Sequence, residues 1–279
     1  MRFVKGHGTE NDFVILPDPG GVLDLAPGTV ARLCDRRAGI GADGVLRVVR
    51  TKAAGDPAAE AMAGEAEWFM DYRNADGGIA EMCGNGVRVF ARYLVDAGLA
   101  APGEWDVATR AGLRRVTLGP SGDVSVDMGP PEHLGTGRAS LAGRSYTGER
   151  VSMGNPHLAC PVERPVAELD LTRAPGFDPA VFPDGVNVEF YRAVGERHLE
   201  MRVYERGSGE TRSCGTGTVA VAAAAAGERG GAEGEWTVDV PGGRVVVTLG
   251  GGTSHLRGPA VLVAEGEIRS GWLAAPGAS

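Results

Sequence analysis

At 279 residues, with 43% hydrophobic and 23% charged residues, the sequence has the composition of a globular protein with ample core. A formal net charge of −8 and no Lys/Arg-rich cluster argue against a nucleic-acid surface, and no apolar run is long enough to span a bilayer. Met1 to Gly6 shows no apolar core of signal-peptide length, so a cytoplasmic location is expected.

Taken in chain order, Arg2 to Leu16 alternates as a strand broken by the polar turn His7 to Asp12. Pro27 to Arg37 reads as a helix and Val45 to Val49 as a buried strand. The run Gly39-Ile40-Gly41-Ala42-Asp43-Gly44 between them matches the dinucleotide fingerprint, but that motif works only as strand, turn, helix, and here the order is reversed. Lys52 to Glu67, rich in Ala, Gly and Glu, reads as a solvated hairpin excursion, and Trp68 to Arg73 resumes as a strand.

Two strand-like runs follow between Glu104 and Met128. Gly129-Pro130-Pro131 then marks the expected domain boundary, because adjacent prolines cannot sit inside a central strand or helix. The second half repeats the first: strands over Val151 to Val162, Val186 to Tyr191 and His198 to Tyr204, a polar turn over Glu205 to Thr211, a helix, and strands over Trp236 to Val240, Arg244 to Leu249 and Ala260 to Ile268. The expected fold is α+β with two similar halves and a cleft between them. Residues 1–128 form the first and 129–260 the second, with the final strand, about 261–279, packing on the first.

The most informative feature is a pair of matching motifs, Cys83-Gly84-Asn85-Gly86 and Cys214-Gly215-Thr216-Gly217, each opening an apolar helix. Backbone N–H groups and the positive end of a helix dipole favour a thiolate there and bind anions. Asn74, before Cys83, and Glu205-Arg206, before Cys214, occupy corresponding places in the two halves. Asn155-Pro156-His157, read as a loop, offers an amide for a ligand and an imidazole near a thiol. Cys34 and Cys160 read as buried structural residues, and the wide spacing of all four cysteines fits neither a disulfide framework nor a zinc site, so no metal is expected.

Opposed thiols suit the removal of an α-proton from one face of a carbon and the return of a proton to the other. The amides of Gly84, Asn85, Gly215 and Thr216 are the donors that would stabilise the developing charge. A pyridoxal cofactor needs a Schiff-base lysine, and neither Lys5 nor Lys52 is well placed for one, so no cofactor is expected.

On these residues the chain resembles the diaminopimelate epimerase family over essentially its whole length. The motifs are His7-Gly8-Thr9-Glu10-Asn11-Asp12-Phe13, Gly39-Ile40-Gly41-Ala42-Asp43, Asn74-Ala75-Asp76-Gly77, Met82 to Gly86, Gly154 to His157, Asn187-Val188-Glu189-Phe190 and Tyr204 through Gly217. The resemblance implies a cofactor-independent isomerase that interconverts LL- and meso-2,6-diaminopimelate in lysine and peptidoglycan synthesis. It also implies two pseudo-symmetric domains, each a rolled mixed β-sheet around a central helix, an active site in the cleft between them, and a homodimer with no nucleic-acid or membrane partner. Carried over by motif, Cys83 and Cys214 resemble the two acid/base residues, and Gly84-Asn85 and Gly215-Thr216 the cradle of the reacting carboxylate. Asn11, Asn74, Asn155, Asn187, Glu205 and Arg206 resemble the substrate-binding set, while His157 and Glu205 resemble the groups that tune the thiols. The chain departs from the family at Gly44, where some members carry glutamine, at Thr9-Glu10, where many have Leu/Met-Gly, and in a longer Lys52 to Glu67 segment.

Two alternatives stand beside this reading. One is a related two-cysteine racemase of another amino acid, such as proline, hydroxyproline or histidine. The other is a thiol-based redox or ligand-binding protein.

Overall fold

In the computed structural model, which describes residues 1–274, Arg2 to Leu16 forms two strands. β1 (Arg2–Gly8) and β2 (Asn11–Pro17) pair antiparallel with Gly8 opposite Asn11, leaving a two-residue turn. Thr9 and Glu10 take φ of 50° and 61° there, the left-handed pair of a tight hairpin turn. A β-branched residue at positive φ is strained, and Thr9 is nevertheless buried.

α1 (Pro27–Cys34) is followed by β3 (Gly44–Arg50), which runs parallel to β2. The Lys52 to Glu67 segment is not the solvated hairpin that composition suggests. It contains a 3₁₀ turn over Thr51–Ala53 and a short helix α2 (Pro57–Ala61), started by Asp56, whose side chain accepts from the Ala58 N–H, and by Pro57 at the first helical position. Ala59, Met62 and Ala66 pack with Val49, Phe69 and Ala108, so the excursion is anchored by apolar contact. β4 (Trp68–Asn74) returns antiparallel to β3 and leads into α3 (Gly84–Asp96). The run to Met128 holds three strands where two were expected: β5 (Gly103–Thr109), parallel to β4, then β6 (Gly112–Leu118) and β7 (Val124–Asp127) as antiparallel partners.

The second half opens on a hairpin that alternation did not reveal, β8 (Glu132–Leu141), which is largely exposed, and β9 (Arg144–Ser152), which is mostly half-buried, both rich in Gly, Ser and Arg. The expected single strand Val151 to Val162 is broken at Met153–Asn155, where Gly154 has φ 89°, and resumes as β10 (Pro156–Pro161), so His157 stands in a strand and not on a loop. β11 (Gly176–Phe177) pairs with β8, β12 (Asn187–Gly195) runs parallel to β10, and β13 (His198–Glu205) returns antiparallel with the short β14 (Gly209–Thr211) beside it. α4 (Gly215–Gly227), β15 (Gly234–Val240), β16 (Gly243–Gly250) and β17 (Thr253–Gly258) follow. β18 (Val261–Glu267) then pairs with β1. The final strand is shorter than expected, because Ser270–Ala274 is a helical turn, α5, and residues 275–279 lie outside the described residues.

The chain divides into two units, Met1–Val126 joined by the chain from Pro259 onward, and Asp127–Gly258. Each contains the same pairing pattern. In the first it is β18-β1-β2 antiparallel, β3 parallel to β2, β4 antiparallel, β5 parallel, then β6 and β7 antiparallel. In the second, β8-β9-β10, β12, β13, β15, β16 and β17 follow the same sequence of senses. The first unit differs in drawing its outer strand from the C-terminal part of the chain.

In each unit the helix touches strands from both ends of the pattern, α3 reaching β1, β18 and β6, and α4 reaching β9, β10, β16 and β17, so each sheet rolls around its helix. α4 is buried on every side because Ala220 and Ala222 to Ala226 leave room for the sheet to close on it. Among the described residues no helix is long and apolar enough to cross a membrane.

Candidate active site

Each thiol sits at the N-cap of its unit's central helix. Cys83 (φ −142°, ψ 118°) and Cys214 (φ −123°, ψ 115°) have extended backbones, and each sulfur accepts a helix N–H, from Gly86 and from Gly217, at 3.4 Å. The side chain occupies the place usually taken by a Ser or Asp oxygen and satisfies one of the unpaired amides at the helix start.

In the first unit, Cys83 Sγ lies 3.5 Å from Asn11 Oδ1, and Asn85 Nδ2 donates to that same oxygen at 3.3 Å. Asn11 Nδ2 donates in turn to Asp43 Oδ2 at 2.8 Å. Asn85 is buried at the first turn of α3, and Gly84 opens that helix beside it. Asn74 is exposed at the end of β4 opposite Gly44 and does not join this hydrogen-bonded chain. At Gly44 a Cβ would lie 2.6 Å from the Arg73 carbonyl oxygen and 2.7 Å from the Tyr72 ring, so the glutamine some relatives carry cannot be placed here without moving both.

In the second unit the hydrogen bonds run Glu189, His157, Asn155, Thr216, Cys214. Glu189 Oε1 lies 2.7 Å from His157 Nδ1, and His157 Nε2 3.0 Å from Asn155 Oδ1. Asn155 Nδ2 donates to Thr216 Oγ1 at 3.4 Å, and that hydroxyl is 3.6 Å from Cys214 Sγ. Gly215 and Thr216 open α4. Asn187 is tied to the loop after β13, its Oδ1 accepting from the Arg206 N–H at 2.9 Å. Arg206 is exposed, with Nη1 on the Asp184 carbonyl oxygen at 2.9 Å. Glu205 closes β13 as Asn74 closes β4, and accepts from Thr211 Oγ1.

The expectation that a helix N-terminus lowers both thiol pKa values does not hold for Cys214. Burial pushes this thiol well above its usual value of 9.0, and the charges of Glu205 and Glu189 add to the rise against the opposing bonds from Thr216 and Gly217. Burial also raises the Glu189 carboxyl, with His157 opposing. Glu189 is a site residue that residue-by-residue reading missed. Its signal was present: a glutamate among Val188, Phe190 and Tyr191, which are all buried, needs a partner within the core. Cys34 and Cys160 are buried free thiols, raised by desolvation to about 11 and about 12. Among the described residues, no cluster of three His, Cys, Asp or Glu side chains is arranged to hold a metal ion.

The profile of the family described as diaminopimelate epimerase matches residues 3–134 and 150–267, most of the chain. The chain belongs to the diaminopimelate epimerase family. It is 62% identical over 271 residues to the diaminopimelate epimerase of Thermobifida fusca, covering 96% of this chain and 98% of that one. It is 55% identical over 282 residues to the diaminopimelate epimerase of Streptomyces coelicolor, covering 98% and 97%. Among solved structures it resembles a probable proline racemase from Agrobacterium radiobacter (TM-score 0.69, 14% identity, 96% and 93% covered). It also resembles a phenazine biosynthesis protein of the PhzF family from Bacillus anthracis (TM-score 0.67, 17% identity, 96% and 99% covered). At these identities the structural likeness concerns the fold alone, and membership of the diaminopimelate epimerase family makes the protein an isomerase.

Proposed function

We propose that the protein interconverts LL- and meso-2,6-diaminopimelate without a cofactor, with Cys83 and Cys214 as the two acid/base groups. The observation that carries this reading is the repeated N-cap, a cysteine sulfur on a helix N–H at 3.4 Å in each of two units with the same strand pattern. One thiolate takes the α-proton while the other thiol delivers a proton to the opposite face, and the thiols exchange states with each turnover. Cys214, whose thiol burial and two glutamates keep protonated, stands as the acid before turnover. The charge that develops on the substrate carboxylate falls to the first-turn amides, Gly84-Asn85 and Gly215-Thr216.

Asn11, Asn74, Asn155, Asn187 and Glu205 are assigned to substrate binding, and Arg206 to the distal carboxylate. His157 and Glu205 are assigned to tuning the thiols. An exposed guanidinium offers the fork that a carboxylate fits, which favours a substrate with a second amino-acid end over a mono-amino acid. A cytoplasmic location and a homodimer belong to the same proposal, the first supported by four free cysteines and the second by family resemblance.

The test is incubation of the purified protein with LL-diaminopimelate in deuterated water. Meso product carrying solvent label at one α-carbon, ahead of label in recovered substrate, is expected. Absence of turnover without added pyridoxal phosphate would overturn the reading.

A further inference from the structure

Arg88, in the second turn of α3, is completely buried, and desolvation lowers its guanidinium to about 10. Its three hydrogen-bond acceptors are neutral: the Pro259 carbonyl oxygen at 2.7 Å, Thr9 Oγ1 at 3.1 Å and Asn85 Oδ1 at 2.5 Å. A cation buried against neutral groups is costly to the fold. Its location suggests what offsets that cost, since Thr9 belongs to the left-handed turn that delivers Asn11, and Asn85 donates to Asn11.

Asp43 lies at the other end of the same chain of bonds. Its Oδ2 accepts from Asn11 Nδ2 at 2.8 Å and from the Asp12 N–H at 3.2 Å, and its Oδ1 from Arg36 Nη2 at 2.6 Å. A guanidinium only donates and a carboxylate only accepts. Asn85 must therefore turn its carbonyl towards Arg88, and Asn11 its amino group towards Asp43. The middle follows without choice: Asn85 Nδ2 meets Asn11 Oδ1, and that oxygen is the atom 3.5 Å from Cys83 Sγ.

We propose that Arg88 and Asp43 are paired positioning residues that lock the Asn85 and Asn11 carboxamides end to end, so that Cys83 faces the carbonyl oxygen of Asn11 and not its amino group. The consequence for the reaction rests on Cys83 being one of its acid/base groups. Cys83 then has a donor, the Gly86 N–H, for its thiolate and an acceptor, Asn11 Oδ1, for its S–H, and neither protonation state is left without a partner. An amino group in the acceptor's place would hold the thiolate and hinder return of the proton. The charged groups around this chain are Arg88 from α3, Asp43 and Arg36 from the segment before β3, Asp12 from β2 and Lys5 from β1. Arg88 also interacts directly with a Cys83 thiolate through its charge, ahead of Asp123, so the Arg88 variants read charge and positioning together and the Asp43→Ala and Asn11→Ala pair isolates positioning.

The test is the pH profile of Cys83 alkylation by iodoacetamide in the full-length protein, read by peptide mass spectrometry, beside kcat and KM. Asp43→Ala frees Asn11 to turn its amino group to the sulfur, and the midpoint should fall by about one pH unit, roughly tenfold faster alkylation below the midpoint. Arg88→Met should raise the midpoint, Arg88→Lys should return it towards wild type, and in Asp43→Ala and Arg88→Met kcat should fall more than KM rises. In an Asn11→Ala background the effect of Asp43→Ala on the midpoint should largely disappear. An unchanged midpoint in folded Asp43→Ala protein, or an equal change in the Asn11→Ala background, overturns the proposal. If Arg88→Met does not fold, the Asp43→Ala and Asn11→Ala pair decides alone. Alkylation does not depend on turnover, so activity surviving in Cys83→Ala would remove the acid/base role without touching this result.

Discussion

His157 Nδ1 lies 2.7 Å from Glu189 Oε1 with both side chains wholly withdrawn from solvent. Glu189 is held from one side by this imidazole and approaches the start of α4 from the other, where a Cβ on Gly217 would be 2.6 Å from Oε1. The second thiol is therefore set among two carboxylates, with His157 linked to it through Asn155 and Thr216 and, on its other nitrogen, to Glu189.

Gly217 has no room for a side chain, because its nearest neighbour is a buried carboxylate that cannot retreat without leaving His157. Gly217→Ala should cost about 1–3 kcal/mol, the range for overpacking a filled core. It should also lower kcat/KM by displacing Glu189 or the helix N–H that bonds Cys214. Thermal unfolding and steady-state kinetics check both, and a variant of wild-type stability and activity would show that Glu189 yields freely.

The raised Cys214 thiol predicts slow alkylation of this residue at pH 8 in the free protein. Removing one of the negative charges that raise it must lower the pKa, so Glu205→Gln should speed Cys214 alkylation, about tenfold for every pH unit by which the midpoint falls. A thiol raised in the folded state adds stability below its unfolded pKa, near 9.0, that is lost as pH rises from there towards the folded value. Denaturant midpoints should fall more steeply above pH 9 in wild type than in Cys214→Ala.

Cys83→Ala and Cys214→Ala should each lower epimerisation by at least about a hundredfold, the minimum expected for losing a positioned acid or base. Circular dichroism should stay native, since each sulfur contributes one weak helix cap. Full activity in either variant would remove the two-base assignment.

The proposed function assigns the distal carboxylate, and with it selectivity, to Arg206. Arg206→Lys should reduce kcat/KM for diaminopimelate by roughly ten- to a thousandfold, the loss expected when one or two charge-assisted bonds weaken. Alkylation of Cys83 and Cys214 should be unaffected. Wild-type efficiency in this variant, or wild-type protein racemising a mono-amino acid as fast, would contradict it.

The features determined by the sequence alone are those written in short, local patterns. Cysteine, glycine and an apolar run are enough to set Cys83 and Cys214 at helix N-caps, because capping is decided within four residues of the helix start. The helix-before-strand order expected around Gly39 to Gly44 is likewise the order of α1 and β3. Polar strands were harder to read. The hairpin of β8 and β9 has too little apolar alternation to register, and Ala/Gly/Glu composition concealed α2, whose burial comes from Val49, Phe69 and Ala108.

Only the tertiary structure decided what each thiol feels. The rise at Cys214 is made by desolvation and by charges on β12 and β13, which no reading of its helix motif contains. Asp43 reaches Asn11 across 32 positions and Arg88 reaches Thr9 across 79, so the orientation of the amides at Cys83 is a property of the rolled sheet. Capping depends on neighbours in sequence, whereas burial and charge act through space on whatever the fold brings near.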